Sequence, residues 1–202
     1  VLGKGLKSLG GSAFRYCEKL TKLTVKGNIE SIDSSVFYNT AIKELQVGKE
    51  VSSLKGTLYG LDTLEKIEVE EGNESYISED GVLYNKEKTT LIRYPESKTD
   101  ITEYEVPEGV ESIGNSAFYY NQCITKVKLP ESLKDIEEYA FSYCRNLVEV
   151  RITDGLESIG KYAFSYCSDL TKLQLPDSLR NIELNAFSYC DNLIIYCNAN
   201  SK

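Results

Sequence analysis

The sequence predicts an α/β repeat solenoid, with short parallel strands on one side of each coil and short helical or 3₁₀ turns on the opposite side. The first observation behind this prediction is a period of 23 residues between phenylalanines. The second is a hydrophobic phrase, L-x-x-L-x-L, that recurs six times along the chain. A fixed period of this length is the signature of stacked coils that share one hydrophobic core. The recurring aromatic residues are Phe14, Phe37, Phe118, Phe141, Phe164 and Phe187.

The strands are predicted from the last two aliphatic residues of the L-x-x-L-x-L phrase. In Leu173 and Leu175 these residues are two apart, so both point to one face of a short strand. The residues around them, such as Lys172 and Gln174, point to the other face and are polar. A strand of about three residues is unstable alone, but a stack at ~4.8 Å spacing closes its backbone hydrogen bonds. The phrase therefore predicts a parallel sheet with one buried and one solvated face.

The opposite side of each coil is predicted from the residues around phenylalanine. A small residue precedes the ring, as in Ser116-Ala117-Phe118, and an aliphatic residue lies five positions before it. A small residue at this place suits one tight helical or 3₁₀ turn. The pattern predicts that each phenylalanine points into the coil and that successive rings form a continuous column.

The period is interrupted between about residues 70 and 100. Two β-rich runs, Val82 to Asn85 and Thr90 to Tyr94, flank the polar segment KEKT and are typical of a hairpin. We expect one domain over residues 1–202, with regular repeats at about 1–69 and 101–197 and an irregular hairpin insertion at about 70–100. The hairpin either protects the middle of the solenoid or forms a lip beside a binding surface.

Composition narrows the classes of function. The chain has 202 residues, no histidine and a formal net charge of -8, which argues against a nucleic-acid surface because phosphate binding needs excess Lys and Arg. Phosphate-loop, nucleophile-elbow and zincin motifs are absent from the sequence, and so is the spacing of a calcium loop, despite an acidic run between Glu70 and Asp80. The sequence predicts no enzyme, cofactor or metal site. It has no apolar run of ~20 residues, so this segment is not expected to insert into a membrane.

Two recurring residue types leave alternatives open. Four of the six cysteines, Cys17, Cys144, Cys167 and Cys190, lie three residues after a repeat phenylalanine. Recurrence at the period favours buried free thiols over a disulfide, and a linear column is a poor match for tetrahedral zinc. Many of the 15 tyrosines also recur beside the phenylalanines. They either cover the seams between coils or serve recognition.

The composite phrase read from Pro130 to Pro176, "P-x-x-L-x-x-I-x-x-x-A-F-x-Y-C-x-x-L-x-x-L-x-L-P", resembles the BspA-like leucine-rich repeats of bacterial surface proteins. The resemblance covers essentially the whole chain and implies a leucine-rich-repeat right-handed coil. It also implies a secreted or cell-surface protein that adheres to host extracellular-matrix proteins or to other bacterial surface proteins. The chain departs from the generic leucine-rich consensus because Ser132 and Ser178 stand where Asn or Cys is usual.

The expected function is a non-catalytic protein-binding or adhesion module that uses the solvated face of the sheet. A structural spacer that displays other domains is the alternative, and a carboxylate-dependent hydrolase is a weaker one. We expect the native protein to continue on at least one side of this segment. The candidate partner-binding residues are Lys22, Lys66, Glu68, Lys126, Lys128, Glu149, Arg151 and Lys172.

Overall fold

A computed structural model describes residues 1–54 and 58–197 of the chain. The described residues form two compact units. The first comprises Val1–Glu87 and Tyr94–Lys98, and the second comprises Lys88–Arg93 and the residues from Thr99 onward. Each unit is a β-solenoid whose coils are joined by parallel strand pairing, as the period predicts. The single domain expected over 1–202 and the right-handed coil stay predictions, and residues 55–57 and 198–202 lie outside the described residues.

The first unit contains seven strands. They are β1 (Ser8–Leu9), β2 (Lys22–Val25), β3 (Ser31–Ile32), β4 (Glu44–Val47), β5 (Lys66–Val69), β6 (Tyr76–Glu79) and β7 (Val82–Asn85). Strands β2, β4 and β5 form one parallel sheet in that order, and β1 pairs with β3 in parallel on the other side of the coils.

The second unit contains ten strands. They are β8 (Thr90–Arg93), β9 (Glu103–Glu105), β10 (Ser112–Ile113), β11 (Lys126–Lys128), β12 (Asp135–Ile136), β13 (Glu149–Arg151), β14 (Ser158–Ile159), β15 (Lys172–Leu175), β16 (Asn181–Ile182) and β17 (Ile194–Cys197). Strands β9, β11 and β13 form one parallel sheet, and β15 pairs with β17.

Within the described residues, four coils of the second unit also carry a second strand of two residues that the sequence pattern did not reveal. Strands β8, β10, β12, β14 and β16 pair successively in parallel, with Ile113, Ile136, Ile159 and Ile182 in one register. These are the aliphatic residues that lie five positions before the phenylalanines. Two residues are too few to show the alternation that identifies a strand. Pairing with the next coil is what makes them extended.

The prediction of helical or 3₁₀ turns, and with it the α/β class, is wrong. The described residues contain no helix, and the segments around the phenylalanines are hydrogen-bonded turns. The residues two before and two after the ring adopt left-handed backbone conformations, as at Tyr139 (φ 57°) and Tyr143 (φ 62°). A right-handed helix requires φ near −63°, so each of these residues ends a helical turn after one step.

The backbone hydrogen bonds show why the turn side is not helical. Within one turn, the N–H of Tyr119 donates to the carbonyl of Ser116 at 3.1 Å, as in a β-turn. The next N–H groups on either side donate to the following coil instead, Phe118 to Ala140 at 2.7 Å and Tyr120 to Ser142 at 2.9 Å. Every second donor is therefore used between coils. In a helix, all of these N–H groups would donate within their own segment. The carbonyls of the following coil would then lose their hydrogen-bond partners.

The phenylalanines form the expected column inside each unit. Ring centroids of Phe118 and Phe141 are 4.7 Å apart, and those of Phe141 and Phe164 are 5.1 Å apart with planes within 5°. In the first unit, Phe14 stacks on Phe37 at 5.9 Å. Phe37, Phe118, Phe141 and Phe164 are at most 1% exposed. The column fills the turn side of the core, and the paired aliphatic residues of the strands fill the rest.

The insertion contains a β-hairpin formed by β6 and β7, which pair in antiparallel fashion around Asp80 and Gly81. Both turn residues have positive φ, 49° and 80°, as tight hairpin turns require. Both runs that the sequence predicts around KEKT, Val82 to Asn85 and Thr90 to Tyr94, contain strands. Thr90–Arg93 is a strand, β8, and in the second unit it pairs in parallel with β10.

Asn73 anchors the start of this hairpin to the preceding coil. Its buried side-chain amide donates to the carbonyls of Gly48 and Val51, both at 2.9 Å, and its oxygen accepts from the N–H groups of Ser75 and Tyr76. One side chain thus satisfies four backbone groups where the regular pattern stops.

The phenylalanine column makes a testable prediction about stability. Replacing Phe164 with Ala should destabilise the chain by ~3–5 kcal/mol, because the cavity lies between two stacked rings. We expect the midpoint of thermal unfolding, measured by circular dichroism, to fall by about 10 °C. The exposed Lys134→Ala variant serves as the control and should change the midpoint little. Similar melting curves for both variants would contradict the packing role of the column.

The left-handed turn residues give a second prediction. Tyr143→Asn and Tyr143→Val both remove the ring, but Asn tolerates positive φ and β-branched Val does not. We expect Tyr143→Val to unfold at lower urea concentration, with an additional loss of roughly 1–2 kcal/mol. Equal midpoints for the two variants would show that the backbone conformation at residue 143 is not the stability determinant.

Candidate functional site

The candidate site is the solvated face of the parallel sheets. In the second unit, Lys126 and Lys128 flank buried Val127, and Glu149 and Arg151 flank buried Val150, because side chains alternate along a strand. The strand register places side chains of successive coils beside one another. One row reads Glu103, Lys126, Glu149, and the other reads Glu105, Lys128, Arg151.

The equivalent face of the first unit is also arranged in rows. Lys22, Glu44 and Lys66 lie in register, and the Glu44 carboxylate pairs with Lys22 at 3.1 Å and with Lys66 at 3.4 Å. Lys66 reaches Glu68 as well, at 3.0 Å. The neighbouring row continues with Gln46, which donates to Glu68 at 3.3 Å. Charge is thus compensated within the face itself.

Ion pairs also connect the strands of the second unit. Lys126 pairs with Glu103 at 2.6 Å, and Lys128 pairs with Glu105 two residues further along each strand. Within β13, the Arg151 Nε donates to Glu149 at 2.5 Å. The side chains remain between about one third and two thirds exposed, so solvent screens these pairs and each contributes little to stability.

The pairing shifts the pKa values of the carboxylates. The hydrogen bond from Lys22 is the largest effect on Glu44, and it lowers the pKa of this carboxyl group below its usual value of 4.5. The hydrogen bond and the positive charge of Lys66 act in the same direction. The hydrogen bond from Arg151 does the same for the pKa of Glu149. The hydrogen bond to Glu103 raises the pKa of Lys126. These groups are all charged near neutral pH, so the face is a fixed pattern of alternating charges.

Two shallow grooves run across these faces. The groove of the second unit has a volume of about 490 Å³. Its lining residues are Glu103, Tyr104, Glu105, Lys126, Val127, Lys128, Glu149 and Arg151. The groove of the first unit has a volume of about 280 Å³ and includes Gln46, Glu68 and Glu70 in its lining. Both are open troughs over a sheet, and their walls are side chains of the candidate site.

The eight residues selected from sequence are distributed over both units. Lys126, Lys128, Glu149 and Arg151 come together around the larger groove. In the first unit, Glu68 lines the smaller groove, and Lys22 and Lys66 lie on the same sheet. Lys172 lies on β15 outside the lining of either groove, and it forms no ion pair within 1–54 and 58–197. That these residues bind a partner stays a prediction.

Three acidic residues of this site were missed in the sequence analysis. Glu44, Glu103 and Glu105 are the partners of the selected lysines. The signal was present, since Glu103 and Glu105 flank Tyr104, the residue that continues the aliphatic frame through the irregular coil. The alternation of charge becomes visible only when the register neighbours on adjacent strands are known.

The cysteines are free thiols in the described part of the chain, with Cys144, Cys167 and Cys190 buried. Each of these thiols donates to the carbonyl of the phenylalanine in the preceding coil, at 2.9, 3.1 and 2.9 Å. The recurring thiol therefore satisfies a buried turn carbonyl, which explains its period. A hydrogen bond with Cys190 and burial raise the pKa of Cys167. Cys17 and Cys197 are exposed, and no metal-binding cluster occurs among the residues described.

The tyrosines form a second aromatic column outside the phenylalanines. Tyr143, Tyr166 and Tyr189 stack at 4.4 and 4.3 Å between ring centroids, with planes within 14°. Tyr139 stacks on Tyr162 at 5.2 Å. These contacts run across the seams between coils, while Tyr189 remains 62% exposed. A role in covering the seams is visible, and a role in recognition stays a prediction.

The architecture and its similarity to known proteins together define the class to which this protein belongs. The described solenoid, with its parallel sheet and its column of core phenylalanines, is that of a leucine-rich-repeat protein. The family described as "BspA type Leucine rich repeat region" matches residues 1–105 and 96–201 with six copies. The chain belongs to this family. The described residues contain no helix that is long and apolar enough to cross a bilayer.

Solved structures of bacterial leucine-rich-repeat proteins are similar to the chain. The pneumococcal vaccine antigen PcpA matches with 33% identity and a TM-score of 0.81, over 98% of this chain and 50% of that one. A leucine-rich cell surface protein from Faecalibacterium prausnitzii A2-165 matches with 22% identity and a TM-score of 0.70, over 94% of this chain and 62% of that one. The chain thus spans about half the length of the pneumococcal antigen. No curated protein sequence matches it significantly.

The paired carboxylates predict a defined response to pH. The pKa of Glu44 is lower in the folded chain than its usual 4.5, so its contribution to stability is present above that value and is lost as the pH falls through the folded pKa. In an NMR titration of the side-chain carboxyl carbons, Lys22→Gln should move the pKa of Glu44 upward. The control variant Lys19→Gln, at an exposed lysine, should leave it unchanged.

The thiols predict a pattern of chemical reactivity. With iodoacetamide and no denaturant, Cys17 and Cys197 should be alkylated readily, since both are exposed. Cys144 and Cys167 should react only after urea is added, because they are buried and the thiolate is the reactive form. Peptide mass mapping measures both outcomes. Rapid labelling of Cys167 in the folded chain would be incompatible with the described packing.

Proposed function

We propose that this chain is a non-catalytic protein-binding module of a secreted or cell-surface bacterial protein and that it binds through the solvated face of its parallel sheets. The observation that carries this proposal is the groove of about 490 Å³ over β9, β11 and β13. Its outward side chains are not required for the core, which the paired aliphatic residues and the phenylalanine column fill. An extended polar face beyond the needs of the core is characteristic of binding solenoids.

Family membership and the relatives support a location at the cell surface. One similar structure is described as a vaccine antigen and another as a cell surface protein. The partner that we propose is a protein, either of the host extracellular matrix or of another bacterial surface. The candidate contact residues are those selected from sequence together with Glu103 and Glu105, which complete the walls of the groove.

A structural spacer is the second candidate, and one observation favours it. Most charges of the face are already paired with each other, as in Glu103–Lys126 and Lys22–Glu44. Such pairing lowers the electrostatic attraction available to a partner. A spacer needs this face only to be soluble, whereas a binding module needs its particular arrangement of charges.

The hydrolase hypothesis has little support in the described residues. A general acid requires a carboxyl group with a raised pKa in a pocket, and hydrogen bonding from Arg151 lowers that of Glu149. Burial, together with the charges of Glu157 and Glu137, raises the pKa of Asp135. Asp135 lies on β12, however, and is not among the residues that line either groove.

A charge-swapped variant tests the binding proposal without removing the ion pairs. It combines Glu103→Lys, Lys126→Glu, Glu105→Lys, Lys128→Glu, Glu149→Lys and Arg151→Glu, so each of the three ion pairs is kept with its signs reversed. The wild-type chain is screened by surface plasmon resonance against collagen, laminin, fibronectin and bacterial surface extracts. We expect the variant to retain its melting temperature and to lose binding to whichever partner the wild-type chain binds.

The matched control swaps an ion pair away from the sheet face. Lys7→Glu with Glu30→Lys reverses a pair of 2.8 Å between exposed side chains and should leave both stability and binding unchanged. If the face-swapped variant binds as well as the wild-type chain, the sheet face is not the binding site. Absence of binding by the wild-type chain across the panel would favour the spacer.

A further inference from the structure

One position on the sheet face breaks the alternation of charge. Lys128 on β11 and Arg151 on β13 lie in direct register. Among the register pairs of the described strands, this is the one that places two like charges side by side. Like charges directly opposite each other destabilise a sheet. An added negative charge beside this pair would therefore reduce the repulsion between the two cations.

The other interactions of these cations leave donor groups available. Lys128 on β11 lies between Glu105 on β9 and Arg151 on β13, and it forms an ion pair with Glu105. Arg151 donates through Nε to Glu149, and its two Nη groups make no other hydrogen bond with the described residues. Their side chains are 54% and 68% exposed, respectively. Both line the groove of the second unit.

A third cation lies on the neighbouring strand β15. Lys172 begins β15, the strand that contacts β13, and it forms no ion pair with any residue in 1–54 and 58–197. It follows Glu149 by one repeat of 23 residues. The row Glu103, Lys126, Glu149 thus continues with a lysine that forms no ion pair with the described residues. We call Lys128, Arg151 and Lys172 the cationic corner of the face.

We infer that the cationic corner binds a carboxylate of an acidic peptide segment on the protein partner. A guanidinium group with free Nη donors matches the planar geometry of a carboxylate, and the two ammonium groups add charge on either side. The chain as a whole carries a net charge of -8, which repels an extended polyanion such as nucleic acid. A short acidic segment is the anion that suits three cations on an acidic protein. This inference rests on the proposed function, since it specifies the chemistry of the partner at the same face.

The test is an NMR titration of the isotopically labelled chain with a short acidic peptide. The probe is an acetylated and amidated hexapeptide of alternating Glu and Gly, and the uncharged control peptide has Gln in place of Glu. We expect the acidic peptide to shift the side-chain signals of the cationic corner and the Gln peptide to leave them in place. Replacing Arg151 and Lys172 with Gln should weaken binding roughly two- to fivefold for each cation removed.

Matched variants and a second anion make the result decisive. The double variant Lys7→Gln with Lys43→Gln removes two exposed lysines of the first unit, both of which are ion-paired and neither of which is a candidate contact residue, and should bind the peptide as the wild-type chain does. Shifts spread evenly over surface lysines, or no shifts at all, would overturn the inference. Equal affinity for inorganic phosphate would also overturn it, because the corner would then be a general anion site.

The two proposals can fail separately. If the acidic peptide does not bind but the charge-swapped face still abolishes binding to a protein partner, the face is the binding site and the cationic corner is not its carboxylate contact. If the peptide binds and the charge-swapped face leaves partner binding intact, the corner recognises carboxylates but the sheet face is not the partner's binding site.

Discussion

Hydrogen bonding between successive coils is the constraint on which the rest of the structure depends. Strands of two to four residues cannot satisfy their own backbone groups, so each coil donates to the next on both sides of the core. On the turn side this sharing extends through the phenylalanine segment, where Phe141 donates to Ala163 and Phe164 to Ala186 at 2.7 Å. Each coil is therefore stable only as part of a stack, which is the defining property of solenoid proteins.

That constraint also explains the left-handed tyrosines. Directing alternate N–H groups toward the neighbouring coil requires a reversal of backbone curvature every few residues, and positive φ at positions such as Tyr143 and Tyr166 supplies it. A non-glycine residue in this conformation carries a steric cost of about 1–2 kcal/mol. The stacked rings of the same residues and the buried thiol that satisfies the turn carbonyl offset part of this cost.

The charged side chains of the sheet face serve solubility and the proposed recognition of a partner, and not the packing of the core. Charged side chains of neighbouring coils lie close enough to attract or repel each other. Most of those on the described face form ion pairs with a side chain of opposite charge. Exposed pairs of this kind add little to stability. Their pattern therefore matters mainly for what the face can bind, and the departure from alternation at Lys128 and Arg151 is its most distinctive feature.

The sequence by itself determined the period, the buried aliphatic positions, the phenylalanine column and the polar character of the opposite face. These follow from spacing, because inward and outward positions alternate along a strand and recur once per coil. Only the tertiary structure decided that the turn side is not helical, that a second ladder of two-residue strands exists and which charges are neighbours. Each of these depends on hydrogen bonds or contacts between residues about 22 or 23 positions apart, as between Phe118 and Ala140 or Lys128 and Arg151. Local propensity carries no information about such partners, since they are brought together only when the coils stack.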